Sequence, residues 1–408
     1  MVEKTGNGNP RPFDGVTARR LLALAAVLIV AALAGCGAAV PRLRSGTADA
    51  GGASALGGRR SPLILSRRSP LFFSRRVQRA FVRRWPLVLH QGGAYAVFPP
   101  ERRLFEQTGL TLALTNHIER PGDGRTRYID PRVANLEERF FGHYQCHSST
   151  APCPVDSADE QAFLAAVRHE IAKQHHNSSV VGYYVLDDYI GNIAGILEQV
   201  HAMVAADNLT LAHPRPTICG FGGSLDFQAA DGSGHYEHDF ASIGHFARQE
   251  LLNFTRTACD MVDFYIYSFA HHAPVSDFSM QWTMPVMLAE LRLRGWDPAT
   301  TPVIGSPQAW EGVPPTAAQV AEQTAAFCAY GAQSIVAFTW RNFPPTGPQA
   351  EPELENSPEM RAGLEAGMQD CRRIWADDGG TVSRGARTVR VPPRIRPVPL
   401  ASAVVPPR

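Results

Sequence analysis

Adjacent carboxylates at the end of an apolar run are the first place where this chain could do chemistry. Val180 to Tyr189 reads VVGYYVLDDY: β-branched and aromatic residues enough for one buried strand, closed by Asp187 and Asp188. A further carboxylate, Glu311, follows the apolar stretch Pro302 to Ser306, in company with Gln308 and Trp310. Tyr265 and Tyr267 end the run Val262 to Ser268, and Trp340, Arg341 and Asn342 follow Ile335 to Thr339. Two carboxylates flanking one bond are the requirement for glycoside cleavage, one as acid and the other as nucleophile or base. Aromatic rings around them suit the faces of sugars. Side chains alternate along a strand, so one of the two aspartates faces inward. With Val181 and Val185 packed outward, Gly182, Tyr184 and Asp188 face in. Asp188 is then the acting group, with Asp187 its orienting partner or a helix cap. The plainer readings are an N-cap and first-turn charge for the aspartate pair, a solvated loop acid for Glu311, and barrel filling for the rings.

The elements that must position these residues alternate. Strands are expected at Tyr95 to Phe98, Leu110 to Asn116, Phe141 to Gln145, Val180 to Leu186, Thr217 to Phe221, Val262 to Ser268, Pro302 to Ser306 and Ile335 to Thr339. Helical patterns are expected at Glu101 to Gln107, Arg132 to Arg139, Asp159 to Lys173, Ile190 to Ala206, Ser242 to Cys259, Phe278 to Arg294, Thr316 to Tyr330 and Met360 to Trp375. Eight alternations over about 280 residues predict an α/β fold, a (β/α)8 TIM barrel over residues 86–378 with disordered N- and C-terminal arms. No G-x-G-x-x-G follows the first strand, so a dinucleotide site lacks its phosphate cradle and no cofactor is expected. Thr316 with Gln319 forms a capping box, and Gly331 closes that helix.

In strand order, and in the segments VVGYYVLDDY, DFYIYSF, PVIGSPQAWEG and IVAFTWRN, roughly residues 94–376 resemble a family. It is the large clan of (β/α)8 retaining glycoside hydrolases with catalytic glutamates on strands four and seven. The resemblance implies Asp188 as acid/base, Glu311 as nucleophile, Tyr267 as the tyrosine that holds the nucleophile and Trp340 as the platform under the reacting sugar. Asn116, Tyr184, Gln308 and Trp310 complete the expected substrate-binding set, and the partner is a carbohydrate. Two departures stand out. The clan usually has Asn-Glu where this chain has Asp187-Asp188, and Glu311 lies five residues beyond Ser306. If Glu311 belongs to the loop, Gln308 takes the nucleophile's place and the barrel binds glycans without cutting them. A different class, metal-dependent polysaccharide deacetylation, pairs Asp-Asp with a His-rich motif. Here His235 and His238 have two residues between them, against three in that family, and they follow a Gly-rich stretch. His175-His176 and His271-His272 read as surface or core histidines, so no metal ligand is assigned.

The ends of the chain speak of location. Arg11, Arg19 and Arg20 precede the apolar run Leu21 to Leu33, too short to span a bilayer comfortably but suited to a signal peptide. It runs into Leu33-Ala34-Gly35-Cys36, which resembles the lipobox of bacterial lipoproteins. Residues 1–36 are therefore expected to be signal and lipobox, with Cys36 lipidated and the protein anchored to the outer face of the cell membrane. Residues 37–85 read as a linker, Gly/Ala/Ser-rich and then an Arg-rich octapeptide repeat, RRSPLILS, RRSPLFFS, RRVQRAFV, RRWPLVL. Its other reading is a basic strip lying on the membrane. Residues 379–408 form a Pro/Arg-rich tail. From Glu101 to Asp378 there are 35 acidic and 18 basic residues, a net of −17, which argues against a nucleic-acid partner. A monomer is expected. Cys146 and Cys153 bracket a short loop and are expected to form a disulfide, whereas Cys328 and Cys371 read as buried small apolar residues.

Overall fold

The computed structural model describes residues 75–376 except 98–99, 101, 120–124, 142–154, 188, 190, 224, 230–235, 244–249, 268–279, 311–314 and 343–351. Cys36 and its lipobox, the C-terminal tail, Cys146, Cys153, Asp188, Glu311, His235 and His271-His272 lie outside the described residues.

Eight parallel strands close into a barrel: β1 (Gly92–Ala96), β2 (Leu112–Leu114), β3 (Arg127–Asp130), β4 (Val180–Leu186), β5 (Thr217–Gly222), β8 (Met261–Ile266), β9 (Val303–Pro307) and β10 (Ala332–Arg341). Two more, β6 (Leu225–Ala229) and β7 (Tyr236–Ile243), pair antiparallel as an inserted hairpin. Helices α1 (Arg75–Arg84), α2 (Arg102–Gln107), α3 (Arg132–Phe141), α4 (Ser157–Gln174), α5 (Ala194–Asn208), α6 (Met280–Leu293), α7 (Ala317–Ala329) and α8 (Pro358–Ala376) complete the chain. The fold is a TIM barrel. β4 is buried at all seven positions, as a strand covered on both faces must be. The capping box of Thr316 and Gln319 opens α7, and Gly331 follows it at φ +102°, a conformation that glycine adopts without a Cβ penalty.

The core has two layers. Leu112, Ile129, Val181, Ile218, Met261, Ile304 and Val336 point into the barrel, while Val180, Tyr183, Val185, Cys219, Phe264 and Ala337 pack outward with the helices. Phe81, Trp85, Val88 and Leu89 join the inner layer, and Ser334 Oγ donates to the Val88 carbonyl at 2.5 Å. The last two copies of the Arg-rich repeat are therefore not linker. They build α1 and the floor of the barrel at the amino ends of its strands, because their apolar residues have the unfilled base of the barrel to enter.

Three further expectations are corrected. The third strand is Arg127–Asp130, not Phe141 to Gln145: Phe140 and Phe141 continue α3 and pack on Phe163 of α4. Short apolar runs fit either element, and only packing decides between them. The helix expected over Ser242 to Cys259 does not keep those bounds: Ser242 and Ile243 end β7 and Leu251–Asn253 is a 3-10 turn, while residues 244–249 lie outside the described ones. Finally, Cys328 of α7 and Cys371 of α8, although buried, are bonded to each other, and Cys219 of β5 is bonded to Cys259 ahead of β8.

Candidate active site

The inward side chains of the barrel change character toward the carboxyl ends of the strands. Above Val336 and Leu114 they give way to Tyr184, Asp263, Tyr265 and Ser306, around a cavity of about 330 Å³. Tyr95, Asp187, Tyr267, Trp310, Phe338 and Asn342 complete its lining. This is the end at which (β/α)8 barrels carry their chemistry.

One wall is aromatic. Tyr95 stacks on Phe338 with centroids 5.1 Å apart, Phe338 meets Tyr267 at 5.4 Å, and Trp310 stands edge-on to both. Tyr265 extends the wall, 5.8 Å from Tyr267. Behind it, the Tyr265 hydroxyl donates to Glu250 Oε2 at 3.4 Å, and the same oxygen accepts from the Gly222 N–H at 2.5 Å. Glu353 is bridged to Trp310 and accepts from the Asn342 N–H at 2.7 Å, which ties the loop after β9 to the loop after β10.

The base of the cavity is polar and buried. Asp263 is 2% exposed; Ser306 Oγ donates to its carboxyl at 2.9 Å and the Tyr184 hydroxyl at 3.1 Å. Burial pushes its pKa up to about 7, against the pull of those two donors. Tyr184, fully buried beside Asp263 and near Asp187, is held well above the ordinary phenol value, first by burial and then by those charges. A Cβ at Gly220 would collide with the Tyr184 hydroxyl, so this position must be glycine for the Tyr184–Asp263 bond to form.

The sequence-predicted residues separate into groups. Tyr184, Tyr267, Trp310 and Asp187 line the cavity together. The alternation that gave the inward place to Asp188 assumed Val181 outward. Val181 instead faces inward along with Tyr184, and the β4 register shifts against β5 between Tyr184 and Leu186. That shift moves the pleat and turns half-buried Asp187 into the cavity. Trp340 is not a platform: it is fully buried outside the barrel, edge-on to Phe105, and Phe338 occupies the wall in its stead. Asn116 sits away from the cavity, its carboxamide oxygen accepting from Asn135 at 2.7 Å and its carbonyl from Arg132. Gln308 is fully buried at the tip of β9, bridged to Phe338, with its carboxamide donating to the Trp310 carbonyl. It shapes the loop and does not line the cavity. His175 bonds Asp207 at 2.6 Å on the barrel's flank, and among the described residues no group of three metal-ligating side chains converges. Asp263 escaped the sequence reading, although its signal was there: a lone charge inside the apolar strand MVDFYI.

No family model and no curated protein matches the chain. Solved structures do. An endo-1,4-β-mannanase from Rhizomucor miehei is 12% identical with a TM-score of 0.45, over 70% of this chain and 95% of its own. A β-glucuronidase from Ruminococcus gnavus is 11% identical with a TM-score of 0.41, over 71% of this chain and 51% of its own. One from Lactobacillus rhamnosus is 10% identical with a TM-score of 0.42, over 71% and 50%. The chain spans about half the length of these β-glucuronidases.

Proposed function

We propose that this protein is an extracytoplasmic, lipid-anchored glycoside hydrolase that acts in the cavity at the barrel mouth. The observation that carries the reading is the continuous ring wall from Tyr95 through Phe338 and Tyr267 to Tyr265, with the carboxylate of Asp187 in the same lining. Flat apolar rings beside a strand-four carboxylate suit a pyranose that is both stacked and attacked. Asp187 supplies the acid that protonates the leaving oxygen, and Glu311, four residues past Pro307 at the end of β9, supplies the second carboxylate. In a retaining reaction Glu311 bonds to the anomeric carbon as the aglycone leaves. Water, deprotonated by Asp187, then releases the sugar, and the carboxyl groups stand about 5 to 5.5 Å apart.

Activated aryl glycosides test this. Glu311→Ala is expected to abolish formation of the glycosyl-enzyme, whereas Asp187→Ala slows its breakdown and spares the first step, because a good leaving group needs little protonation. The same kinetic split on Asp188→Ala, with Asp187→Ala unaffected, would move the acid role to the neighbour. Undiminished turnover in all three variants would remove these carboxylates from the reaction.

A second reading, a barrel that binds glycans without cutting them, is favoured by one feature. The residue at the tip of β9, bridged to β10, is the amide Gln308 and not an acid. Wild-type protein that binds oligosaccharides but hydrolyses no glycoside would select it. The location rests on the run Leu21 to Leu33 leading into Leu33-Ala34-Gly35-Cys36, and is supported by two disulfides, which persist in oxidising compartments.

A further inference from the structure

We infer that Asp263 is a positioning residue: it ties the strand that ends ahead of Asp187 to the strand that leads to Glu311, and so holds in place the strand ends from which the two carboxylates act. The inference rests on the glycoside hydrolase reading above and adds to that site a third acid, one that acts through its neighbours.

The two strands in question are not adjacent. Around the barrel the order runs β4, β5, β8, β9. Tyr184 of β4 reaches across β5 and donates its hydroxyl to Asp263 Oδ2 of β8 at 3.1 Å. Ser306 of β9 donates to the same carboxyl from the other side, at 2.9 Å to Oδ1 and 3.0 Å to Oδ2. β5 leaves the room for this: Gly220 pairs with Asp263 in the β5–β8 ladder, and a Cβ there would collide with the hydroxyl and ring of Tyr184. One carboxyl thus spans four consecutive strands at the base of the cavity. Tyr184, Asp263 and Ser306 are all buried, so removing one of them leaves a polar group without its partner and away from water. The tie survives either state of the acid, because a carboxylate accepts from both hydroxyls and a neutral acid donates to one while accepting from the other.

The tie also falls where the site needs it. Tyr184 is the last residue of β4 paired with β5 before the register shifts, three positions ahead of Asp187. A ladder is disrupted at such a shift, so its backbone bonds hold the strand tip less firmly, and the Tyr184–Asp263 bond fixes the last regular residue. Ser306 stands beside Pro307, where β9 ends, and five positions ahead of Glu311. Groups that act on one bond tolerate little displacement: about 1 Å can cost on the order of a hundredfold in rate.

Single-turnover and steady-state kinetics of the full chain on an activated aryl glycoside test the inference. Tyr184→Phe cuts the tie on the β4 side and should slow breakdown of the glycosyl-enzyme by about tenfold or more, with little change in its formation. Ser306→Ala cuts it on the β9 side and should slow formation by a similar factor, sparing breakdown. Asp263→Ala cuts both and should slow both steps, each no further than the single variant on that side, since the same two bonds are lost. Asp263→Asn, whose carboxamide accepts from Tyr184 and donates to Ser306, should restore most of the rate lost in Asp263→Ala. Where Asp263→Ala does not fold, Tyr184→Phe and Ser306→Ala decide the matter. Two steps slowed alike in each of those variants, or neither step slowed, would overturn the positioning role and leave the glycoside hydrolase reading standing. A wild type that cleaves no glycoside would overturn both.

Discussion

Asp263 is the residue whose chemistry is set most sharply by its surroundings. Its carboxyl is pushed from 3.8 to about 7 by burial, so the folded chain holds a proton there that the unfolded chain has lost. Its contribution to stability is therefore fully present below pH 4, falls as pH rises from about 4 to 7, and is flat above that. The loss is on the order of 4 kcal/mol by pH 8. Asp263→Asn, which keeps the shape and cannot ionise, should be more stable than wild type at pH 8, and its advantage should vanish near pH 4. Urea unfolding at a series of pH values measures this; an advantage independent of pH would mean that the side chain is not the source. Tyr184→Phe and Ser306→Ala remove the donors to the ionised form and should extend the same loss to higher pH. At this scale the sequence was half legible. Residue types at strand ends marked Tyr184, Tyr267, Trp310 and Asp187, since a polar or aromatic side chain at a barrel mouth has few other reasons to be there. That Asp187 faces the cavity, and that Phe338 does while Trp340, two positions on and expected on the same face, does not, was not legible. Parity depends on register, and register shifts arise from pairing with strands remote in sequence.

Among the elements, α1 carries the least expected load. Trp85 is 2% exposed in the inner layer, with the Arg84 guanidinium 4.1 Å from its ring centroid, while Arg84 also pairs with Asp260 at 3.1 Å. Trp85→Ala leaves a cavity at the barrel floor and should cost about 3 to 5 kcal/mol. An unchanged urea midpoint would mean that the floor contributes nothing. A chain beginning at residue 86 should be destabilised by more, since Phe81 is lost as well. The strands that could be read directly were those with long apolar runs, above all Val180–Leu186, whose bounds match expectation at both ends. RYID of β3 is four residues with an arginine at one end, too short to show a period, and its place in the barrel comes from pairing with β2 and β4. The repeat of α1 misled for the opposite reason: Arg-rich copies resemble linker, and only a barrel with an open base reveals what Phe81 and Trp85 fill.

For the whole molecule, the covalent links and the location bear on one another. The Cys219–Cys259 bond spans 40 residues, including the β6–β7 hairpin, and Cys328–Cys371 spans 43, joining the last two helices of the barrel. Loops of that length correspond to roughly 4 kcal/mol each in the chain-entropy account, a stabilisation present only where thiols are oxidised. A protein delivered by a lipobox to the outer face of a membrane folds where both links can form, whereas the same chain kept in a reducing cytoplasm folds without them. Two measurements join these statements. A fatty-acid label should attach to the wild type and be lost in Cys36→Ala; label retained in that variant would sink the anchor. Residues 75–376 produced in a reducing cytoplasm should then show free thiols at Cys219, Cys259, Cys328 and Cys371 and a lower melting temperature, restored by oxidation. Calorimetry before and after oxidation gives the difference. No gain on forming both links would mean that they decorate a barrel already closed by its core, and the disulfides would lose their weight as support for export.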